Sequence, residues 1–382
     1  MKLHTEHCGA MRIGLEQPER CRASKRGREE GSRKFSSDGE KIIRDQALFP
    51  AQMKKKILIV VGPTASGKSD LAVSLARKFN GEIISADSRQ VYRGLDIGTG
   101  KITGQEMRGI RHHLLDVANP KNRFSAGEYR ILARRAIDEI FSREKTPMIC
   151  GGTGFYINAA LDDDPFPDVP PNEDLRKRMA KKSCSQLLLI LKKLDQKRAK
   201  AISKSDSERK NARRIIRAIE IAAVSKSKGY PWINDGSVLP AKTSGKRSMT
   251  PLLCGKYSTV FIGIKPSRDE LRKRIHARLV NRIDAGMVDE ARCLHARGLS
   301  WKRMEELGLE YRYLARYLQE KISNEELVEK LDTEIWHYAK RQMVWWKRNK
   351  KIKWFDPADK KKATEWVRSF LVNKKALTSR KS

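Results

Sequence analysis

The six cysteines, Cys8, Cys21, Cys150, Cys184, Cys254 and Cys293, include no CxxC pair. Scattered in this way they outline neither a disulfide framework nor a zinc site, and a reducing cytosol is the expected home. No apolar run approaches the ~18 residues needed to cross a bilayer, and the N-terminal stretch lacks the apolar segment of a secretory signal. A membrane partner is therefore not expected. Acidic residues are outnumbered: 46 Asp+Glu stand against 81 Lys+Arg, a net charge of +35 that persists along the chain. Such a chain seeks a polyanion, nucleic acid being the usual one, unless its host proteome is basic throughout.

The 382 residues are enough for two or three domains. Residues 1–52 are polar, mixed in charge and without periodicity, and read as a disordered extension. Met53, followed by three lysines, has the look of a start of translation, and the acidic Glu16, Glu19, Glu29 and Glu30 argue against a transit leader. From Met53 to Leu161 apolar strands at 57–61, 82–85, 111–116 and 147–150 alternate with helical patterns. One such helix, 125–141, carries Ile131, Ile137, Ile140 and Phe141 on a common face. This alternation predicts an α/β core with a parallel sheet flanked by helices. Residues 162–171 form a proline-rich linker, 162–235 a small helical insert with helices at 173–182, 185–194, 195–202 and 207–224, and 236–256 a loop. A strand at 258–264 returns the chain to the core, and everything beyond it up to 382 is helical by pattern.

Around Ile57 to Ser69 the rest is organised. The run ILIVV breaks at Gly62 into GPTASGKS (62–69) and is followed by a helical pattern, the context that a phosphate loop requires. Gly62, Pro63, Thr64, Ala65, Ser66 and Gly67 form the loop whose backbone N–H groups ring an anion. Lys68 supplies a point charge, and the Ser69 hydroxyl is placed for Mg²⁺. Three polar clusters follow at strand ends, where ligands of open α/β sheets sit. Asp87, with Ser88, Arg89 and Gln90, offers either a carboxylate facing the loop, to hold Mg²⁺ or take a proton, or simply a helix N-cap. His112, His113 and Asp116 resemble a packing pair and a metal-bracing acid preceded by only a short apolar run. GGTGFY (151–156) brings backbone close to a ligand and leaves the Thr153 hydroxyl as a donor, unless it is only a tight turn.

Basic helical faces complete the inventory. Arg213 and Arg217 share a face, and with Arg176 and Arg209 could form a phosphate-binding edge or merely a solvated surface. Arg274, Arg278 and Arg282 make a second basic stripe. In KRQMVWWKR (340–348) aromatics alternate with cations, which suits nucleic-acid stacking, while Trp336, Met343 and Trp346 fit a buried helix face.

In order along the chain, GPTASGKS (62–69), ISADSRQVYRGLDIGTGK (84–101), HHLLD (112–116), FSAGEY (124–129), GGTGFY (151–156), RRIIRAIE (213–220), RIDAGM (282–287) and KRQMVWW (340–346) resemble the tRNA dimethylallyltransferase family, from about Met53 to Asp356. The resemblance implies a P-loop NTPase-like sheet with a helical insert and a helical C-terminal region. It also implies transfer of a dimethylallyl group from dimethylallyl diphosphate to N6 of adenosine-37 in tRNAs reading codons that begin with U. By the same resemblance the phosphate loop holds the diphosphate with Mg²⁺ on Ser69. Asp87, Thr153 and Lys68 are catalytic, and Asp87, Ser88, Arg89, Gln90, Thr153, Arg176, Arg213, Arg214, Ile215, Ile216 and Arg217 contact the tRNA anticodon stem-loop. A cytoplasmic monomer is implied. LGLEYR (307–312) departs from the family's shorter motif, and no Cys/His finger follows the last long helix. From the residues alone, an RNA-stimulated NTPase or kinase and a non-catalytic RNA-binding protein remain alternatives.

Overall fold

The computed structural model describes residues 55–161, 169–228 and 257–371; the expected front extension and the loop at 236–256 lie outside the described residues. The first half of the core comprises β1 (Lys55–Val61), α1 (Lys68–Lys78), β2 (Gly81–Ser85), α2 (Gly104–Met107), β3 (His112–His113), α3 (Ala126–Ser142), β4 (Thr146–Gly151) and α4 (Gly154–Leu161). The helical insert contributes α5 (Glu173–Ala180), α6 (Cys184–Leu194), α7 (Gln196–Ser203), α8 (Asp206–Arg209) and α9 (Ala212–Lys228). The second half runs β5 (Tyr257–Ile264), α10 (Arg268–Asp284), α11 (Met287–Ala296), α12 (Trp301–Leu307), α13 (Leu309–Leu318), α14 (Asn324–Trp346), β6 (Ile352–Phe355) and α15 (Lys360–Leu371).

The six strands form one parallel sheet in the order β3-β2-β4-β1-β5-β6. Both faces are covered, which is why β1 reads as an unbroken apolar run rather than an alternating one. Ile57, Ile59 and Val61 point into the larger layer built from α3, α4 and α10 to α14. Leu58 and Val60 point the other way, against Leu71, Leu75 and Ala76 of α1 and Ala363 and Val367 of α15. Each such fully buried side chain contributes roughly 1.5–3 kcal/mol. The insert has its own small core of Leu187, Leu191, Ile202, Ile215 and Ile219.

Several expectations are corrected by the backbone. The strand read over 111–116 shrinks to His112 and His113, because Leu114 (φ 64°) and Asp116 (φ 57°) enter the left-handed region and stop the ladder. In α3 a capping box at Ser125 and Glu128 sets the start, but Ile131 is 70% exposed; the buried face is Tyr129, Ala133, Ala136, Ile137 and Ile140. The helix read over 207–224 breaks into α8 and α9 at Asn211, whose side-chain oxygen accepts from the Arg214 amide (3.2 Å). Finally, the C-terminal region is not wholly helical: β6 pairs with β5 from Phe261↔Ile352 to Ile264↔Phe355. Of its four residues only Ile352 is buried, too short a signal for a period to show.

Glu82 of β2, 2% exposed, fastens the sheet edge. It pairs with His113 Nε2 (2.8 Å), Arg143 (2.7 Å) and Lys145 (3.1 Å). Burial alone would raise its carboxyl, but hydrogen bonds from Arg143, His113 and Lys145 outweigh it and bring the pKa down to about 2. A carboxyl depressed in the fold stabilises above its unfolded value, and that contribution disappears as pH falls from about 4.5 toward 2. Replacing Glu82 by Gln is expected to cost about 2 kcal/mol in denaturant unfolding at pH 7. The gap from wild type should close between pH 4.5 and 2; a gap constant over that range would dissociate the effect from ionisation.

Candidate active site

At the carboxyl end of β1 the chain makes the turn that its glycines permit. A Cβ on Gly62 would lie 2.7 Å from the Ile264 carbonyl, so the loop can approach β5 only with glycine there. The Ser66 amide donates to the Pro63 carbonyl (3.3 Å), Ala65 takes φ 59°, and Gly67 (φ 86°) opens α1 without a side-chain cap. The first amides of α1 are thereby left for an anion. Lys68 folds back, its Nζ donating to the Pro63 carbonyl (3.2 Å). Burial pushes its ammonium pKa down, partly offset by Cys150 and Asp87 and reinforced by Arg278. A bound anion would stabilise that charge.

Two further strand ends close on this loop. The Ala86 amide donates to the Cys150 carbonyl (2.8 Å), the Thr153 amide to the Ala86 carbonyl (3.1 Å), and the Ser88 amide to Thr153 Oγ1 (3.1 Å). A Cβ on Gly151 would sit 2.2 Å from the Ala86 oxygen, so the crossing requires glycine. Asp87 Oδ1 accepts from the Arg89 amide (2.8 Å), which makes this carboxylate a local cap while it lines the same cavity as Lys68 and Ser69. No helix starts here, so the N-cap reading is corrected to a carboxylate that caps its own turn while facing the cavity. Tyr338 stands behind the pair; burial pushes its phenol up, Asp87 adds to that, and its hydrogen bond with Thr153 opposes it. Cys150 is raised to about 11 by burial and stays a neutral thiol at pH 7. Gln342, 5% exposed, bridges the turns: Oε1 accepts from the Thr64 amide (2.8 Å), and Nε2 donates to the Gly152 carbonyl (3.1 Å).

The basic stripe of α10 faces inward. Arg274 reaches the Ser66 carbonyl (3.5 Å), Arg278 the Gly100 carbonyl (2.8 Å), and Arg282 the Gly98 carbonyl (2.8 Å) and Glu310 (3.2 Å). The loop 95–101 is gripped from the other side by Glu290, which accepts from the amides of Asp96 (2.8 Å), Ile97 (2.6 Å) and Gly98 (2.9 Å) and from the Tyr311 hydroxyl (2.6 Å). Arg278 is a cavity residue from the basic stripe read in the sequence, whereas Gln342, Tyr338 and Glu310 are cavity residues given no role there. The spacing of 274, 278 and 282 was a visible signal; Glu310 had none beyond its departure from the family motif.

The result is a cavity of about 370 Å³. Thr64, Lys68, Ser69, Asp87, Ser88, Arg89 and Gln90 line it, and Thr153 is joined to it through Ser88. One part can hold an anion, Asp87 can take a proton, and Ile83, Ile102, Leu115 and Leu309 supply apolar wall. Asp116 is not among the residues that line the cavity: it is paired with Lys101, which also holds Asp96. Among the described residues no group of three or more His, Cys, Asp or Glu is placed to bind a metal ion. The donors that remain, Ser69 and Asp87, fit Mg²⁺ in the way that ion is commonly held, with substrate phosphate oxygens and water as its other ligands.

The insert residues stand apart from this cavity. Arg176 (2.8 Å) and Arg217 (3.1 Å) both donate to Glu220, which is 2% exposed, and Arg217 also to the Val169 carbonyl (2.8 Å). Arg214 pairs with Glu208 (3.1 Å), and Arg213 is exposed. Ile215 and Ile216 are not surface residues: their side chains, 0% and 8% exposed, belong to the core of the insert. They are the apolar stripe of α9, whose opposite positions carry the arginines.

A family model described as IPP transferase matches residues 90–349. The tRNA dimethylallyltransferase of Bacillus pumilus is 38% identical over 308 residues, covering 79% of this chain and 90% of that protein. The tRNA dimethylallyltransferase 1 of Syntrophus aciditrophicus is 40% identical over 302 residues, covering 78% and 90%. Among solved structures, the full-length tRNA isopentenylpyrophosphate transferase of Bacillus halodurans superposes with a TM-score of 0.60 at 33% identity, over 86% of this chain and 100% of that one. A eukaryotic dimethylallyltransferase acting on tRNA shares the fold with a TM-score of 0.66 at 22% identity, over 85% and 80%. With a matching family model across most of the described core and relatives aligned nearly end to end, the chain belongs to the IPP transferase family.

Proposed function

We propose that this protein transfers the dimethylallyl group of dimethylallyl diphosphate to N6 of adenosine-37 in tRNAs reading codons that begin with U. The observation that carries the reading is the sharing of one cavity by the phosphate loop (Lys68, Ser69) and the Asp87 carboxylate. The exocyclic amine of adenine is a weak nucleophile, so the allylic C–O bond must loosen as the new C–N bond forms. The diphosphate leaves with the electron pair of the broken bond, and the N6 proton passes to Asp87. Lys68 and the uncapped amides of α1 stabilise the departing charge. Ser69 would hold Mg²⁺, which would supply further neutralisation of that leaving group. The target base must leave its stack to enter the cavity, at a cost of a few kcal/mol. Thr153 fixes the turn that carries Asp87, while Ser88, Arg89 and Gln90 form the wall next to it. Arg213, Arg214, Arg176 and Arg217 offer the insert's cationic surface to the anticodon stem-loop. We read the protein as a cytoplasmic monomer; among the described residues no helix is long and apolar enough to cross a membrane.

The test is a transfer assay with Mg²⁺, radiolabelled dimethylallyl diphosphate and an anticodon stem-loop carrying either adenosine or guanosine at position 37. Label should enter the first RNA alone. Label on neither, with ATP turnover stimulated by RNA, would overturn the assignment. Asp87→Asn should lower the transfer rate by at least ~100-fold while RNA affinity stays within a few fold; a large loss of affinity would make Asp87 a structural cap only. Arg213→Glu should reduce the slope of log affinity against log salt by about one. An unchanged slope would return Arg213 to solvent.

A further inference from the structure

The stretch KRQMVWWKR divides in the structure. Trp336 and Trp346 join the core, 7% and 1% exposed, while Val344 is 58% exposed with Trp345 half-buried beside it. His337, Lys340, Arg341, Val344, Trp345 and Arg348 recur at helical spacing on one stripe of α14 and line a shallow groove. Its floor is apolar, its rim is cationic, and no carboxylate lines it. The Arg348 guanidinium lies 5.9 Å from the Trp345 ring. That ring is seated on the turn that carries Thr153: a Cβ on Gly154 would lie 1.9 Å from its Nε1. Arg341 lines both this groove and the active-site cavity, where its helix neighbours Tyr338 and Gln342 also stand.

Resting on the tRNA-modifying reading above, we propose that the groove seats an unpaired nucleobase adjoining the base that enters the cavity. Trp345 and Val344 give the apolar contact, and Lys340, Arg341 and Arg348 meet the flanking phosphates. The chemistry favours RNA over a protein partner, because an apolar floor ringed by cations, without acceptors for a peptide, matches a base between two phosphates. The position supplies the second argument. A base drawn into the cavity leaves its neighbour unstacked, and the strand that delivers it must pass the mouth that Arg341 borders. An apolar surface at that point replaces the lost stack, an effect of roughly 5- to 150-fold per base.

The test compares an intact stem-loop with two variants, abasic on the 5′ or the 3′ side of the target, in steady-state transfer and in equilibrium binding without donor. For the wild-type protein one abasic RNA should show KM and Kd raised at least ~5-fold, with kcat and the KM for dimethylallyl diphosphate unchanged. For Trp345→Ala the intact and abasic RNAs should become equivalent. Val344→Glu, at an exposed position that leaves the core untouched, should raise the RNA Kd about 10-fold and also erase the abasic penalty, which serves if Trp345→Ala does not fold. Indifference of the wild type to both abasic RNAs, or a penalty kept in Val344→Glu, would overturn the proposal. Absence of transfer on every RNA would instead sink the proposed function, while the binding comparison would still decide the groove.

Discussion

One buried amide holds the two glycine turns in register. Gln342 accepts from the Thr64 N–H and donates to the Gly152 carbonyl, so the phosphate loop after β1 and the glycine turn after β4 are fixed to each other through α14. Neither a carboxylate nor an apolar residue could replace it. The first would face the Gly152 carbonyl oxygen without a proton to offer, and the second would orphan both backbone groups at about 1–3 kcal/mol each. The helix that presents Gln342 is itself held by Leu327, Leu331, Ile335, Ala339 and Trp346 in the large core. Catalytic geometry at the strand ends therefore depends on apolar burial far along the chain.

Four glutamates of this basic chain serve as anchors, three of them, Glu82, Glu220 and Glu310, buried. Glu82 gathers Arg143, Lys145 and the His113 imidazole at the sheet edge, Glu220 joins two arginines inside the insert, and Glu290 takes three amides and a phenol to set the loop at 95–101. Glu310 answers Arg282 where both are largely buried. Glu82, Glu220 and Glu290 each receive several donors, the condition under which burial of charge is tolerable. With 81 Lys+Arg against 46 Asp+Glu, the excess of cations is left to the surfaces, the state that suits a polyanionic partner.

The parts of this architecture that rest on local chemistry were legible in the sequence. The phosphate loop, the strands β1, β2, β4 and β5 and the extent of α3 follow from glycine placement, apolar runs and helical periodicity. The missed elements depend on partners distant in the chain. Ile131 fits the periodicity of α3 yet faces outward, because small residues, Ala133 and Ala136, fill the contact instead. The strand β6 has one buried residue and exists because β5 offers an open edge. The same limit applies at the site. Asp87, Lys68 and Ser69 come from motifs, whereas Arg278, Tyr338 and Gln342 reach the cavity from helices more than a hundred residues away. Ile215 and Ile216 show the converse error, in which a motif's interior residues inherit a surface role from their neighbours.

The order of the strands has a consequence for the birth of the protein. β1 is central, but its partner on one side, β5, begins only at Tyr257, after the whole insert. During synthesis, β1, β2 and β4 can pair early, while the other edge of β1 stays open until roughly 200 further residues have been made. At ordinary elongation rates of ~5–20 residues per second that is a wait of about 10 to 40 s. Throughout it the apolar run ILIVV presents an unpaired edge of the kind that recruits other chains.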